Sequence, residues 1–139
     1  MISIAGGIVD GLGFGDNTKA ALLTRGVVEM ARLGVALGAQ RETFFGLAGI
    51  GDLVTSCVSP HGRNRAVGMR IGRGEKIGDI VASMRQIAEG VKTAAAVHKM
   101  AQSKGVEMPI CEQVYRVVHE GASPKDAVKE LMSRALKPE

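Results

Sequence analysis

Tryptophan is missing from this 139-residue sequence, and aromatic residues reach only 3%: Tyr115, Phe14, Phe44 and Phe45. A β-sandwich or barrel draws heavily on aromatic and β-branched strands, so that scarcity disfavours either. There are two cysteines, Cys57 and Cys111, too few for the disulfide framework of a small secreted domain. No apolar run approaches the ~18 residues that a membrane span needs. Met1 is not followed by a basic stretch and a long apolar run, so no signal peptide is expected and a reducing cytosol is the default compartment. Low hydrophobicity with high net charge, the mark of disorder, is absent too: 45% of residues are hydrophobic and the formal charge is +4.

Glycine is what the chain has in excess, 19 residues where an average composition of about 7% would give roughly half that. A core of Ala, Val, Leu, Ile and Met with many glycines suits close helix packing. The patterning agrees, and an all-α domain is expected. Ile2, Ile4, Ala5, Ile8, Val9 and Leu12 open the chain as an uncapped apolar helix, which reads as the second half of a longer one. Asp16 or Asn17 is placed to cap the next, whose apolar face reads Leu23, Val27, Met30, Gly34 and Leu37 with Arg25, Glu29 and Arg32 off it. Gly38 suits its stop. Short helices are expected over 41–47 and 52–57, then helices over 63–71, 75–84 and 91–103. The stretch 75–84 should turn Ile77, Ile80, Val81 and Met84 to one side. Pro109 opens a helix with the stripe Ile110, Val114, Val117 and Val118. Ser123-Pro124-Lys125-Asp126 starts the last, with Val128, Leu131, Met132 and Ala135 inward.

The glycine clusters do not form a nucleotide loop. Gly11-x-Gly13-x-Gly15 has the wrong spacing for G-x-G-x-x-G and follows a helix, and no G-x-x-x-x-G-K exists. Turns and close helix contacts are the plain reading of these glycines. Cys57 with His61, and Cys111 with His119, lack the paired spacing of a zinc site, so no metal is expected. Cys111 reads as a buried thiol. His98 and His119 have no carboxylate partner visible in sequence. Arg65, Arg70, Arg73 and Lys76 read as a solvated basic face. Without stacking aromatics or a helix-turn-helix signature, nucleic acid is not an expected partner.

Residues 49–65 carry the most chemistry. Asp52 lies between Gly51 and an apolar run, where a carboxylate is expected to be at least half buried and in need of a cation or donors. Gly62-Arg63-Asn64-Arg65 opens a helix. Free amides, the positive dipole end and a guanidinium fork meet there, as in a phosphate site. An N-terminus with a solvated arginine face is the alternative.

Five ordered segments carry a resemblance. They are Gly11-Leu12-Gly13-Phe14-Gly15-Asp16-Asn17-Thr18-Lys19-Ala20-Ala21, Gly49-Ile50-Gly51-Asp52-Leu53, Gly62-Arg63-Asn64-Arg65, Glu89-Gly90 and Val106-Glu107-Met108-Pro109-Ile110. Together they resemble the NAD(P)-dependent glycerol-3-phosphate dehydrogenases of bacterial type, over essentially the whole chain. The match is to the C-terminal, substrate-side helical domain, which is similar to that of 6-phosphogluconate dehydrogenase-like enzymes. Residues 1–139 would be that domain, without the N-terminal Rossmann domain and without the family's lysine, which lies in a Lys-Asn pair ahead of this sequence. Lys19 belongs to another motif and does not replace it.

The resemblance implies an oxidoreductase that reduces dihydroxyacetone phosphate to sn-glycerol 3-phosphate with NADH or NADPH. Asp52 would support the lysine, a role that competes with simple helix capping. Gly62, Arg63, Asn64 and Asp52 would bind substrate, with Thr55 as a further contact. Arg63, Ile87 and Glu89 would touch the cofactor, although Glu89 could equally be a surface residue before a glycine turn. Residues 58–61 follow the family pattern less closely. On this reading the chain alone binds no cofactor and is inactive, and a homodimer is the expected assembly. A helical dimerisation module without ligand binding is the competing reading.

Overall fold

A computed structural model describes residues 1–84 and 88–134. Its elements are helices α1 (Ile2–Gly11), α2 (Asp16–Ala36), α3 (Asp52–Val58), α4 (Arg63–Gly72), α5 (Ile77–Ser83), α6 (Glu89–Lys104), α7 (Pro109–His119) and α8 (Pro124–Ser133). A 3-10 turn at Arg41–Phe45 and a π turn at Leu47–Gly51 join α2 to α3. There is no strand among the described residues, so the all-α expectation holds.

The architecture is built around α1. Ile2 to Val9 are all buried, as a helix apolar on every side must be. Helices α2, α3, α4 and α7 pack against it. The approach of α4 is closest, and glycine is the reason. Gly7 faces the Arg65 carbonyl, Gly68 faces the Ile4 carbonyl, and Gly11 and Gly72 face one another. Each helix thus presents two glycines four residues apart, and the backbones meet where side chains would otherwise hold them apart.

The cap signals divide. Ser123 Oγ accepts from the Asp126 amide at 3.3 Å, and Pro109 and Pro124 occupy first turns, as expected. Neither Asp16 nor Asn17 caps α2: Gly15 is the N-cap and makes no side-chain bond, and Asp16 is the first helical residue. Gly38 (φ +92°) does stop it, with Gly38 N–H donating to Val35 O and Ala39 N–H to Gly34 O.

The expected face of α2 is corrected. Leu37 is exposed, whereas Glu29 is 4% exposed, inside the core. Glu29 Oε1 accepts from Ile110 N–H at 2.7 Å and Oε2 from Cys111 N–H at 3.3 Å. It is the missing cap of α7, supplied across 81 positions of sequence. Burial pushes its carboxyl above the ordinary range, and the two backbone donors partly oppose that. Val81 and Met132 are also exposed rather than core-facing, because α5 and α8 cover the core with one edge only. Ala135 lies outside the described residues. The stripe of α7 is buried throughout.

Candidate functional site

Pro60-His61-Gly62 breaks the chain after α3, and Gly62 becomes the extended N-cap of α4. Lacking a side chain, it makes no cap bond. The first acceptor-side bond of the helix is Ala66 N–H to Gly62 O at 2.9 Å. The amides of the first turn therefore point out of the helix end together with its positive dipole.

A second helix starts at the same place. The Gly90 amide of α6 donates to Asn64 Oδ1 at 2.9 Å, tying the starts of α4 and α6 together. A methyl group at Gly90 would lie 2.5 Å from that oxygen, so a side chain there would push Asn64 out of this position. With Oδ1 occupied, the Asn64 amide nitrogen is left to donate elsewhere.

Between these helix starts lies a polar cavity of about 280 Å³, lined by Ser3, Ser56, His61, Gly62, Arg63, Asn64 and Glu89. It has room for a ligand of several heavy atoms. Four of the expected site residues, Gly62, Arg63, Asn64 and Glu89, are brought together here from two stretches of sequence. Glu89 is exposed in the first turn of α6, where a carboxylate suits the helix dipole.

Asp52 and Thr55 do not line this cavity. Asp52 is exposed at the start of α3 rather than half buried, one helical turn before Ser56, which does line it. Solvent there removes the need for a buried partner. Thr55 is exposed as well, and its hydroxyl donates to the Gly51 carbonyl at 3.0 Å. Ile87 lies outside the described residues.

Three readings of individual residues change. Arg65 is no solvated cation: its Nε and Nη2 donate to Asp10 Oδ2 at 2.8 and 2.7 Å, while Lys19 pairs with the other oxygen. These side chains are largely covered and lock α4 to α1 and α2. Arg70 pairs with Glu75 and Ser83. His98 has a carboxylate after all, Glu112 at 2.7 Å, and stacks flat on Tyr115 at 3.9 Å. That partner comes from α7 and is invisible to a reading of α6. Cys57 and Cys111 are both buried; burial pushes Cys57 up to about 11, and burial with the neighbouring Glu29 carboxyl raises Cys111. Neither offers a thiolate. Sequence reasoning also passed over Ser3, Ser56 and His61 as cavity residues. Ser3 and Ser56 carry no local signal, and His61 reads as part of the chain break.

Residues 1–129 match the family model of the NAD-dependent glycerol-3-phosphate dehydrogenase C-terminus. A glycerol-3-phosphate dehydrogenase [NAD(P)+] of Geobacter sulfurreducens is 56% identical over 139 residues, 100% of this chain and 42% of the relative. One from Solidesulfovibrio magneticus is 55% identical over the same span. Among solved structures, the glycerol-3-phosphate dehydrogenase of Coxiella burnetii superposes with a TM-score of 0.93 at 44% identity, covering 96% of this chain and 41% of that one. That of Saccharomyces cerevisiae gives 0.85 at 28% identity, covering 96% and 39%. The chain thus spans about two fifths of the length of the relatives it matches. Over nearly its whole length it belongs to the family of the NAD-dependent glycerol-3-phosphate dehydrogenase C-terminus.

Proposed function

We propose that this chain is the substrate-side domain of an NAD(P)-dependent glycerol-3-phosphate dehydrogenase, and that the cavity at the starts of α4 and α6 receives the phosphate of dihydroxyacetone phosphate or sn-glycerol 3-phosphate. The observation that carries this is the convergence of Gly62, Arg63, Asn64 and Glu89 on one polar cavity. Arg63 and the outward amides of α4 neutralise and orient the phosphate, and Asn64 donates from its side chain. Holding the phosphate fixes the three-carbon chain and so the carbonyl to be reduced.

When bound, NADH or NADPH would supply the hydride for that carbonyl carbon. The residues proposed to touch the cofactor from this domain are Arg63, Glu89 and Ile87. The first two fit such a role, since a guanidinium suits a cofactor phosphate and a carboxylate can accept from a ribose hydroxyl. Asp52 is proposed to stabilise the ammonium of the family's lysine. These 139 residues include no Lys-Asn pair, so on their own they are proposed to bind the substrate weakly and not to turn it over.

Titrating sn-glycerol 3-phosphate into the labelled chain should shift the amide resonances of Gly62, Asn64 and Gly90. Arg63→Ala should weaken that response tenfold or more, since it removes a charge-assisted contact to phosphate. Wild-type spectra that stay unmoved at millimolar ligand would refute the reading.

A second reading rests on a separate surface. Leu47 is 91% exposed, with Phe45, Val54 and Val58 also exposed on the turns before α3 and on α3 itself. Exposed apolar side chains of this kind favour association with another protein surface, a second copy of the chain being the simplest case. Sedimentation equilibrium should then show dimers that Leu47→Glu dissociates; a wild-type monomer at high concentration argues against it.

A further inference from the structure

Ser3 stands apart from the rest of the cavity wall. It sits in the first turn of α1, the helix the core is built around, with apolar neighbours Ile2 and Ile4. The residue is 7% exposed. Its hydroxyl makes no hydrogen bond to any described residue, although buried hydroxyls ordinarily have a partner. No fully enclosed polar side-chain atom among the described residues lacks a partner, so the Ser3 oxygen keeps some exposure, and Ser3 lines the cavity. A polar side chain nine-tenths buried at the root of the core, on the wall of a polar cavity, can be satisfied by what enters that cavity.

We propose that Ser3 is a ligand-binding residue of this site, its hydroxyl donating to a phosphate oxygen held at the start of α4. This rests on the phosphate reading given above and adds a residue of α1 to it. The other groups offered to the ligand from α4, the Arg63 guanidinium, the Asn64 amide and the first-turn backbone N–H groups, are donors. A phosphate dianion offers acceptors only, and a serine hydroxyl adds one more donor without adding a charge. The interlocked glycines of α1 and α4 hold Ser3 and Arg63 in fixed register, so the contact is set by the backbone.

The test is titration of the chain with inorganic phosphate and, separately, with sn-glycerol 3-phosphate, followed by the amide resonances of Gly62 and Asn64. Ser3→Ala removes one oxygen, leaves no overpacking and favours the helix, so its melting temperature should match or exceed that of the wild type. Its affinity for both ligands should fall by the same factor, roughly tenfold. An unchanged affinity in Ser3→Ala, with the wild type responding, overturns the proposal and leaves the phosphate reading standing. A loss confined to sn-glycerol 3-phosphate also overturns it, since the hydroxyl would then serve the carbon chain. A wild type that answers neither ligand overturns both.

Discussion

Glu29→Ala is expected to cost ~2–4 kcal/mol of folding stability, read as a lower urea midpoint at unchanged slope. The carboxylate is the acceptor for two backbone donors, Ile110 and Cys111, at the buried start of α7. Leaving a buried donor without an acceptor costs about 1–3 kcal/mol each, and the truncated side chain adds a void. The same residue gives a pH signature. Burial holds the native carboxyl above its ordinary value of 4.5. The native state therefore keeps the proton longer than the unfolded chain does. Stability contributed by Glu29 is full below the ordinary value, falls as pH rises from there through the native value, and is level above it. Glu29→Gln has no proton to lose, so the gap between wild type and this variant should narrow as pH rises through that window. Urea unfolding of both proteins at several pH values measures it. A gap that widens would reverse the assignment of burial as the dominant influence.

Gly68→Ala should be at least as damaging, by about 3 kcal/mol or more, or should prevent folding. A methyl group there would press into the carbonyl of Ile4, and the obstacle is backbone, which cannot rotate away. Relief requires α1 and α4 to separate, and their contact is the most extensive in the molecule. Gly72→Ala meets the Ile8 carbonyl at 2.6 Å and should behave alike. Gly78→Ala is the control. It lies in α5 with nothing within 4 Å, so the better helix former should leave stability unchanged or raise it by up to ~1 kcal/mol. Thermal melts of the variants decide the matter; equal melting points for Gly68→Ala and Gly78→Ala would contradict the packing described. Because α4 also carries Arg63 and Asn64, a folded Gly68→Ala should lose its response to phosphate as well.

These two cases mark what the sequence discloses. Helix starts at Ser123-Pro124 and Pro109 are written in adjacent residues, as are the break at Pro60 and the bare helix start at Gly62, so α4, α7, α8 and half of the cavity are legible. The apolar run of α1 is legible too. Glu29 is not, because periodicity registers which side of a helix is apolar and has no access to a partner 81 residues away. The glycines of α1 and α4 read only as turns or close contacts until the two helices are seen crossed. Asp52 misleads, since glycine neighbours suggested enclosure where the turn in fact stands open to solvent. Arg65 and His98 likewise acquire carboxylate partners only through packing of other helices. Ser3 offers no pattern at all: one small polar residue inside an apolar stretch becomes meaningful when it is found lining the cavity at the start of α4.

On the proposed function, a phosphate group docks where α4 and α6 begin. A crystal structure of the chain grown with sn-glycerol 3-phosphate tests it directly. The phosphate should lie within hydrogen-bonding distance of Arg63 and the amides that follow Gly62, with the Asn64–Gly90 bond intact. A ligand bound elsewhere, with solvent alone between Ser3, Arg63 and Glu89, would contradict it.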